Sequence, residues 1–444
     1  MSILLTACSG GEGYGGSVDG PAAPGGDGTV DVSGAGAFSQ PAANLSEADR
    51  ALFQIGDMFF TQPWSPALSG TEDRDGLGPT FLASSCAGCH LADGRDSPPG
   101  ANDTAGTPII RFTDENREAA TLEGYGVQIQ THAVSRVPEE ARLRVEWIEE
   151  LGAYPDGTPF TLRRPKFTLD GLAFGAVDSM ASGIRLAPSL IGLGLLEAIT
   201  STDVRANADA HDGDGDGISG VASVVMTERG EALGRFGLKA NVATVADQVA
   251  MAYLFDMGIT SPVYPTENCP TPQVACAQAA SGGSPEISAE RLAAVVLYAR
   301  TIAVPARVGL EDESIVDGEL IFDSLGCAAC HVKRWETGGH QVSSLAYQAI
   351  YPYTDLLLHD MGEGLSDGRS DRVAGPREWR TTPLWGLGLQ RTVNPDAGFL
   401  HDGRARSIEE AVLWHGGEAT QARTAFTELT ASDRTLILLF LKSL

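Results

Sequence analysis

Two modules, each entered by a short helix running into Cys-x-x-Cys-His and each closed by an amphipathic helix, form the architecture that this 444-residue sequence predicts. Three observations carry it. The motif occurs twice, as SSCAGCH over 84–90 and as LGCAACH over 325–331. A phenylalanine stands five residues before the first cysteine of each copy (Phe81, Phe322), with a glycine shortly before it (Gly78, Gly318). Finally, ISAERLAAVVLYARTI (287–302) and LTASDRTLILLFLKSL (429–444) both space apolar residues as one helix face does.

Taken in chain order, the first segment is LTAC, Leu5 to Cys8, which resembles the bacterial lipobox whose cysteine is lipidated after cleavage. MSILL ahead of it is shorter than a complete leader, so either the start lies upstream or Cys8 is a plain thiol. Residues 9–45 are Gly, Ala, Pro and Ser with few large apolar side chains, and are expected to form a flexible tether. With the lipobox they make a segment 1–45. The first module follows over 46–308, with a large insertion, and closes on the helix carrying Leu292, Val295, Val296, Ala299 and Ile302, opened by Ser288 as N-cap. The join falls near VPARVGLEDES, and the second module spans 309–444 with Ser432 as the expected N-cap of its closing helix.

The net charge of −27 excludes a nucleic-acid partner and would instead steer a small basic redox protein toward the surface. No run reaches the roughly 20 apolar residues that span a bilayer. Of seven cysteines, four sit in the two motifs and one at the lipobox. Cys269 and Cys276 in NCPTPQVAC remain, a spacing that suits a disulfide in an oxidising compartment.

Three chemistries use Cys-x-x-Cys-His. Zinc knuckles lie roughly 15–20 residues apart, whereas here most of the chain separates the two copies. A redox dithiol needs one copy, preceded by a strand, and neither copy follows a β-branched run. Covalent haem c accounts for every position: two thiols add to the two vinyl groups, and the next residue lies under the ring as axial ligand. The expectation is therefore one haem c on Cys86, Cys89 and His90 and a second on Cys327, Cys330 and His331, with both histidines binding iron.

With both motifs placed, the chain resembles the di-haem oxidoreductase family often labelled thiol oxidoreductase, a relative of bacterial di-haem cytochrome c peroxidases and of MauG. The stretches that carry the resemblance are FLASSCAGCHLADGR, SGIRLAPSLIGLGLLEAI, DGDGDGISG, GRFGLKANVATVADQVAMAYLFDMGITS, PYTDLLLHDMGEGLSDGR and WRTTPLWGLGL with FLHDGRARSIEEAVLWHGGEA. They run from about residue 50 to the end. The resemblance implies a mainly α fold of two cytochrome c-like domains with long loops, and haems near a domain interface. In the peroxidases a distal Gln and a Glu ten residues on serve the peroxide-reacting haem, and Gln130 and Glu140 have that separation, with Glu139 one residue away. The carboxylate would move the peroxide proton while the amide orients the substrate.

SIEEAVLWHGG opens with a capping pattern, Ser407 to Glu410, and puts His415 at the end of a short helix, where the peroxidases have Met and MauG has Tyr. His415 is the expected second ligand of the C-terminal iron, with Met361, His359 and His401 as rivals; His401 would otherwise sit near a propionate. The relatives place a tryptophan between the haems shortly before the distal Gln, a stretch that lacks one here, so Trp335 or Trp147 would substitute. In DGDGDGISG, the residues Asp212, Asp214, Asp216 and Ser219 match the first half of a calcium loop, although position twelve is Ser223 rather than Glu.

The sequence thus predicts an exported bacterial enzyme, periplasmic or anchored as an outer-membrane lipoprotein. It would reduce hydrogen peroxide at the N-terminal haem, with electrons from a small cytochrome c or a cupredoxin relayed through the C-terminal haem. The alternatives are a non-catalytic di-haem electron carrier and a MauG-like enzyme oxidising a partner protein.

Overall fold

The computed structural model describes residues 20–70, 73–100, 107–114, 116, 119–177 and 183–444. Cys8 lies outside them. Six helices and one long hairpin position the candidate sites: α1 (Glu47–Thr61), the strands β1 (Arg142–Ala153) and β2 (Pro159–Asp170), α2 (Val245–Met257), α3 (Ala289–Thr301), α4 (Glu313–Ser324), α5 (Ile408–Trp414) and α6 (Ala431–Ser443). Each helix begins where a short polar side chain satisfies a free backbone N–H. Ser46 accepts from Asp49 N, Thr244 from Asp247 N, Ser288 from Arg291 N, Asp312 from Ser314 N and Ser407 from Glu410 N.

In each half a helix before the motif crosses the closing helix at a glycine. A Cβ on Gly56 of α1 would stand 2.2 Å from the Ala294 carbonyl oxygen of α3, and one on Gly318 of α4 would stand 2.2 Å from that of Leu436 in α6. Four residues after each glycine a phenylalanine fills the crossing: Phe60 lies 5.1 Å from the Tyr298 ring, and Phe322 lies 5.2 Å from Phe440. The internal repeat is therefore Gly56–Phe60 against Gly318–Phe322, which corrects the pairing of Gly78 and Phe81 with the second copy. Phe81 lies on a two-residue strand, Thr80–Phe81, paired with His132–Ala133. Only the second motif is entered directly from a helix, because residues 62–85 intervene after α1.

The mainly α expectation is also corrected. The chain is 32% helix and 18% strand, and the strands among the described residues form seven two-stranded sheets. The longest is the β1–β2 hairpin, in register from Arg142 opposite Asp170 to Ala153 opposite Pro159. Its first strand alternates buried Leu143 and Val145 with exposed Arg142, Arg144 and Glu146, the period of two that marks a half-buried strand. That period sits in a stretch read only as an insertion between helical landmarks.

Two further corrections concern ends. The closing helix is capped by Thr430, accepting from Asp433 N at 3.2 Å, rather than by Ser432, because Thr-x-x-Asp starts the helix two residues earlier. Residues 20–45 are not a free tether. Phe38 is 0% exposed, and Val30 and Pro41 bridge to Pro305 and Ile302. One aromatic side chain and paired backbone dock what composition alone reads as a linker.

The first core gathers Phe53, Phe60, Tyr253, Val295 and Tyr298 and takes in Trp335 and Trp385 from beyond residue 309. The second gathers Phe322, Tyr353, Leu413 and Phe440, together with Tyr154 from the hairpin tip. Tyr154 donates to Glu409 of α5 at 2.7 Å, so the hairpin of the first half reaches the second. Cys269 and Cys276 are joined as a disulfide, with Cα atoms 5.6 Å apart. No helix among the described residues is long and apolar enough to cross a membrane.

Candidate functional site

Both motifs fold into the same turn. A short 3-10 segment starts at the first cysteine, and the histidine N–H donates to that cysteine's carbonyl: His90 to Cys86 at 2.9 Å and His331 to Cys327 at 3.0 Å. All four motif cysteines are free thiols. Burial pushes Cys86 and Cys327 up to about 12, which favours neutral thiols over the thiolate of a reactive dithiol. The two histidines are also matched. The Nδ1 of His90 lies 2.8 Å from the Pro188 carbonyl oxygen, and that of His331 lies 2.9 Å from the Tyr353 carbonyl oxygen. A carbonyl only accepts, so Nδ1 carries the proton. Burial lowers both rings to about 4, and a neutral imidazole with a free Nε2 lone pair results.

Beside the first motif is a cavity of about 220 Å³, lined among others by Phe60, Cys86, Cys89, His90, Asp256 and Arg380. Arg95 is a further wall residue. Arg95 donates to the carbonyls of Gly398 and Leu400, and Arg380 to those of Gly237 and Thr381. Burial lowers both guanidinium groups to about 10, which leaves them charged at neutral pH. Free neutral thiols, an imidazole with an open Nε2, a largely apolar hollow and two guanidinium groups, one buried and one half-buried, with no carboxylate hydrogen-bond partner among the described residues together fit a covalently attached haem with two propionates.

At the second motif His415 caps the C-terminal end of α5, and its Nδ1 lies 2.7 Å from the Ala411 carbonyl oxygen. Its Nε2 is thereby left with a free lone pair, as in the two motif histidines. His331 and His415 are near enough that charge on one disfavours charge on the other. His359 is bound at both ring nitrogens, by Asp355 at 2.8 Å and Glu418 at 2.7 Å. Burial opposes its charge, but the hydrogen bonds it donates to Asp355 and Glu418, with a further one to Cys330, outweigh it and raise the ring to about 12, an imidazolium with no lone pair for iron. His401 stacks on Trp379 with ring centroids 3.9 Å apart and lies 3.4 Å from Asp402.

Gln130 and Glu140 meet, but neither lines this cavity. Glu140 is 1% exposed; one oxygen accepts from the Gln130 backbone N–H at 2.7 Å and the other from the Gln273 amide at 2.6 Å. Burial prevails over these bonds and raises its carboxyl to about 8. The Gln130 amide donates to the Phe255 carbonyl at 2.7 Å. Neither residue is among those lining the cavity, whereas Asp256, next to Phe255, is. Glu139 is exposed and pairs with Arg142. Trp335 donates to the Thr354 carbonyl and Trp147 to that of Pro99, while Trp385 is the tryptophan in the cavity wall.

Sequence reasoning missed Asp256, Arg380 and Trp385. All three lie in stretches quoted for the family resemblance, but no spacing rule assigned them a part. In the acidic loop the carboxylates of Asp212, Asp214 and Asp216 lie within 4.8 Å of one another. Ser219 turns away and donates to Glu418.

A family model described as "Di-haem oxidoreductase, putative peroxidase" matches residues 19–111 and 153–444. A search of curated proteins finds no match. Among solved structures, hydrazine synthase of Kuenenia stuttgartiensis, pressurised with 20 bar xenon, is similar over 100% of both chains at 12% identity and a TM-score of 0.35, too slight a likeness to carry an inference.

Proposed function

The chain belongs to the di-haem oxidoreductase family, and from that premise we propose that it is an exported enzyme that reduces hydrogen peroxide at the N-terminal motif with electrons relayed through the C-terminal one. The observation that carries this reading is an asymmetry. The first motif opens on a cavity in which His90 is, among the described residues, the only lining histidine, whereas the second has two half-buried imidazoles, His331 and His415, each with Nδ1 tied to a carbonyl. Haem c attached at each motif would supply a redox-active iron. His90 would hold one of them, in the cavity that Asp256 also lines. His331 and His415 would both be available to hold the other, and two imidazole ligands suit an iron that passes electrons.

Electrons would come from a small one-electron donor protein, a c-type cytochrome or a cupredoxin, drawn by the net charge of −27. The Cys269–Cys276 disulfide supports an oxidising compartment, and LTAC a lipid anchor there. Electron paramagnetic resonance of the oxidised protein, paired with peroxide consumption from a reduced small cytochrome, tests the reading. One high-spin and one low-spin iron with turnover is the expected result. Two low-spin irons without turnover would make the protein an electron carrier.

Calcium in the loop of Asp212, Asp214 and Asp216 belongs to the same reading. Chelation is expected to lower the melting temperature, because a ligand bound only to the native state stabilises it by mass action. An unmoved melting temperature across a wide calcium range removes the ion.

A further inference from the structure

Resting on the peroxidase reading above, we infer that Asp256, at the end of α2, is the catalytic residue that moves the peroxide proton in the N-terminal cavity. The argument starts from which carboxylates can reach a substrate there. Glu140 has both oxygens occupied by protein donors and is absent from the cavity wall. Asp256 is in that wall, and α2 presents it on the same side as Val245, Gln248, Val249 and Ala252, a helical stripe that lines the hollow.

Among the described residues, only one Asp256 oxygen is held. Oδ1 accepts from the Gln128 amide at 2.9 Å, and that amide also donates to the Phe255 carbonyl at 2.8 Å, which locks its orientation. Oδ2 accepts no hydrogen bond from the described residues. The carboxylate is thus fixed at one oxygen and open at the other, as an acid–base group must be. Arg111 lines the same cavity. Burial raises the Asp256 pKa, and the Gln128 hydrogen bond and the Arg111 charge act against that rise, keeping the ionised form within reach.

The step balances as follows. Oδ2 takes the proton from the nearer oxygen of H2O2 and returns it to the departing oxygen as the O–O bond breaks. Two electrons from the one-electron donor and two protons from solvent complete the conversion to two waters.

Cyanide arrives as HCN and must also surrender a proton on binding, so its association rate with the oxidised holoprotein reads Asp256 without turnover. Asp256→Asn is expected to slow cyanide association and peroxide consumption by about 10² to 10⁴-fold, with covalent haem content and the resting spectrum unchanged. Asp256→Glu should recover part of the loss, and Glu140→Gln should stay within a few-fold of the parent. Gln128→Leu, which leaves the carboxylate but removes its hydrogen bond, should move the pH midpoint of cyanide association upward, and it serves if Asp256→Asn does not mature.

Asp256→Asn as fast as the parent, Glu140→Gln equally slow, or an unmoved midpoint in Gln128→Leu overturns the assignment. A parent that consumes no peroxide, with cyanide association still slowed by Asp256→Asn, sinks the peroxidase reading and supports Asp256 as the proton acceptor.

Discussion

His415→Ala is expected to convert the C-terminal iron from low-spin to high-spin while both haems remain attached. The residue caps α5, and its Nδ1 is fixed by the Ala411 carbonyl, so only Nε2 can ligate. Covalent attachment rests on Cys327 and Cys330, which the substitution does not touch. The high-spin signal of the N-terminal iron should persist, so the oxidised variant should show two high-spin centres. His359 cannot rescue the lost ligand, because both of its nitrogens donate to carboxylates. An unchanged low-spin signal would give the role to Met361, whose backbone abuts Gly416 beside His415.

The second large effect concerns the helix crossing that supports the C-terminal motif. Gly318→Ala is expected to destabilise the protein by about 1–3 kcal/mol, the usual cost of forcing an atom into a packed contact. Helix propensity alone predicts the reverse, since alanine is better than glycine inside a helix by roughly 1 kcal/mol. The added Cβ would stand 2.2 Å from the Leu436 carbonyl oxygen and 2.8 Å from the Phe440 Cβ. Backbone cannot yield as a flexible side chain can, so α4 and α6 must separate. Denaturant unfolding of the holoprotein, followed by absorbance, measures the change. Gly56→Ala should behave alike in the first half, because its Cβ would meet the Ala294 carbonyl at the same distance. A stabilised Gly318→Ala would mean that the two helices are not in backbone contact.

What the sequence determined by itself is local chemistry. Two cysteines and a histidine at fixed spacing dictate one turn, and both copies adopt it with the same His-to-Cys hydrogen bond. Ser288 and Ser407 cap the helices that their spacing announced, and Cys269 joins Cys276 across a short loop. Such features depend on neighbours within a few residues, which a one-dimensional reading contains.

Tertiary structure alone decided three other matters. The true internal repeat pairs Gly56 with Gly318, although residues 62–85 displace the first glycine from its motif, because the repeat is defined by where two helices touch. The hairpin turned an expected insertion into a bridge from Tyr154 to Glu409, a contact between residues far apart in the chain. The carboxylate facing the cavity is Asp256, whereas Glu140, ten residues from Gln130 as the family spacing asks, is turned inward to bind Gln130 and Gln273. A spacing rule fixes how far apart two residues lie along the chain. Which of two acids meets a substrate depends on which wall each side chain faces, and packing across the whole fold sets that.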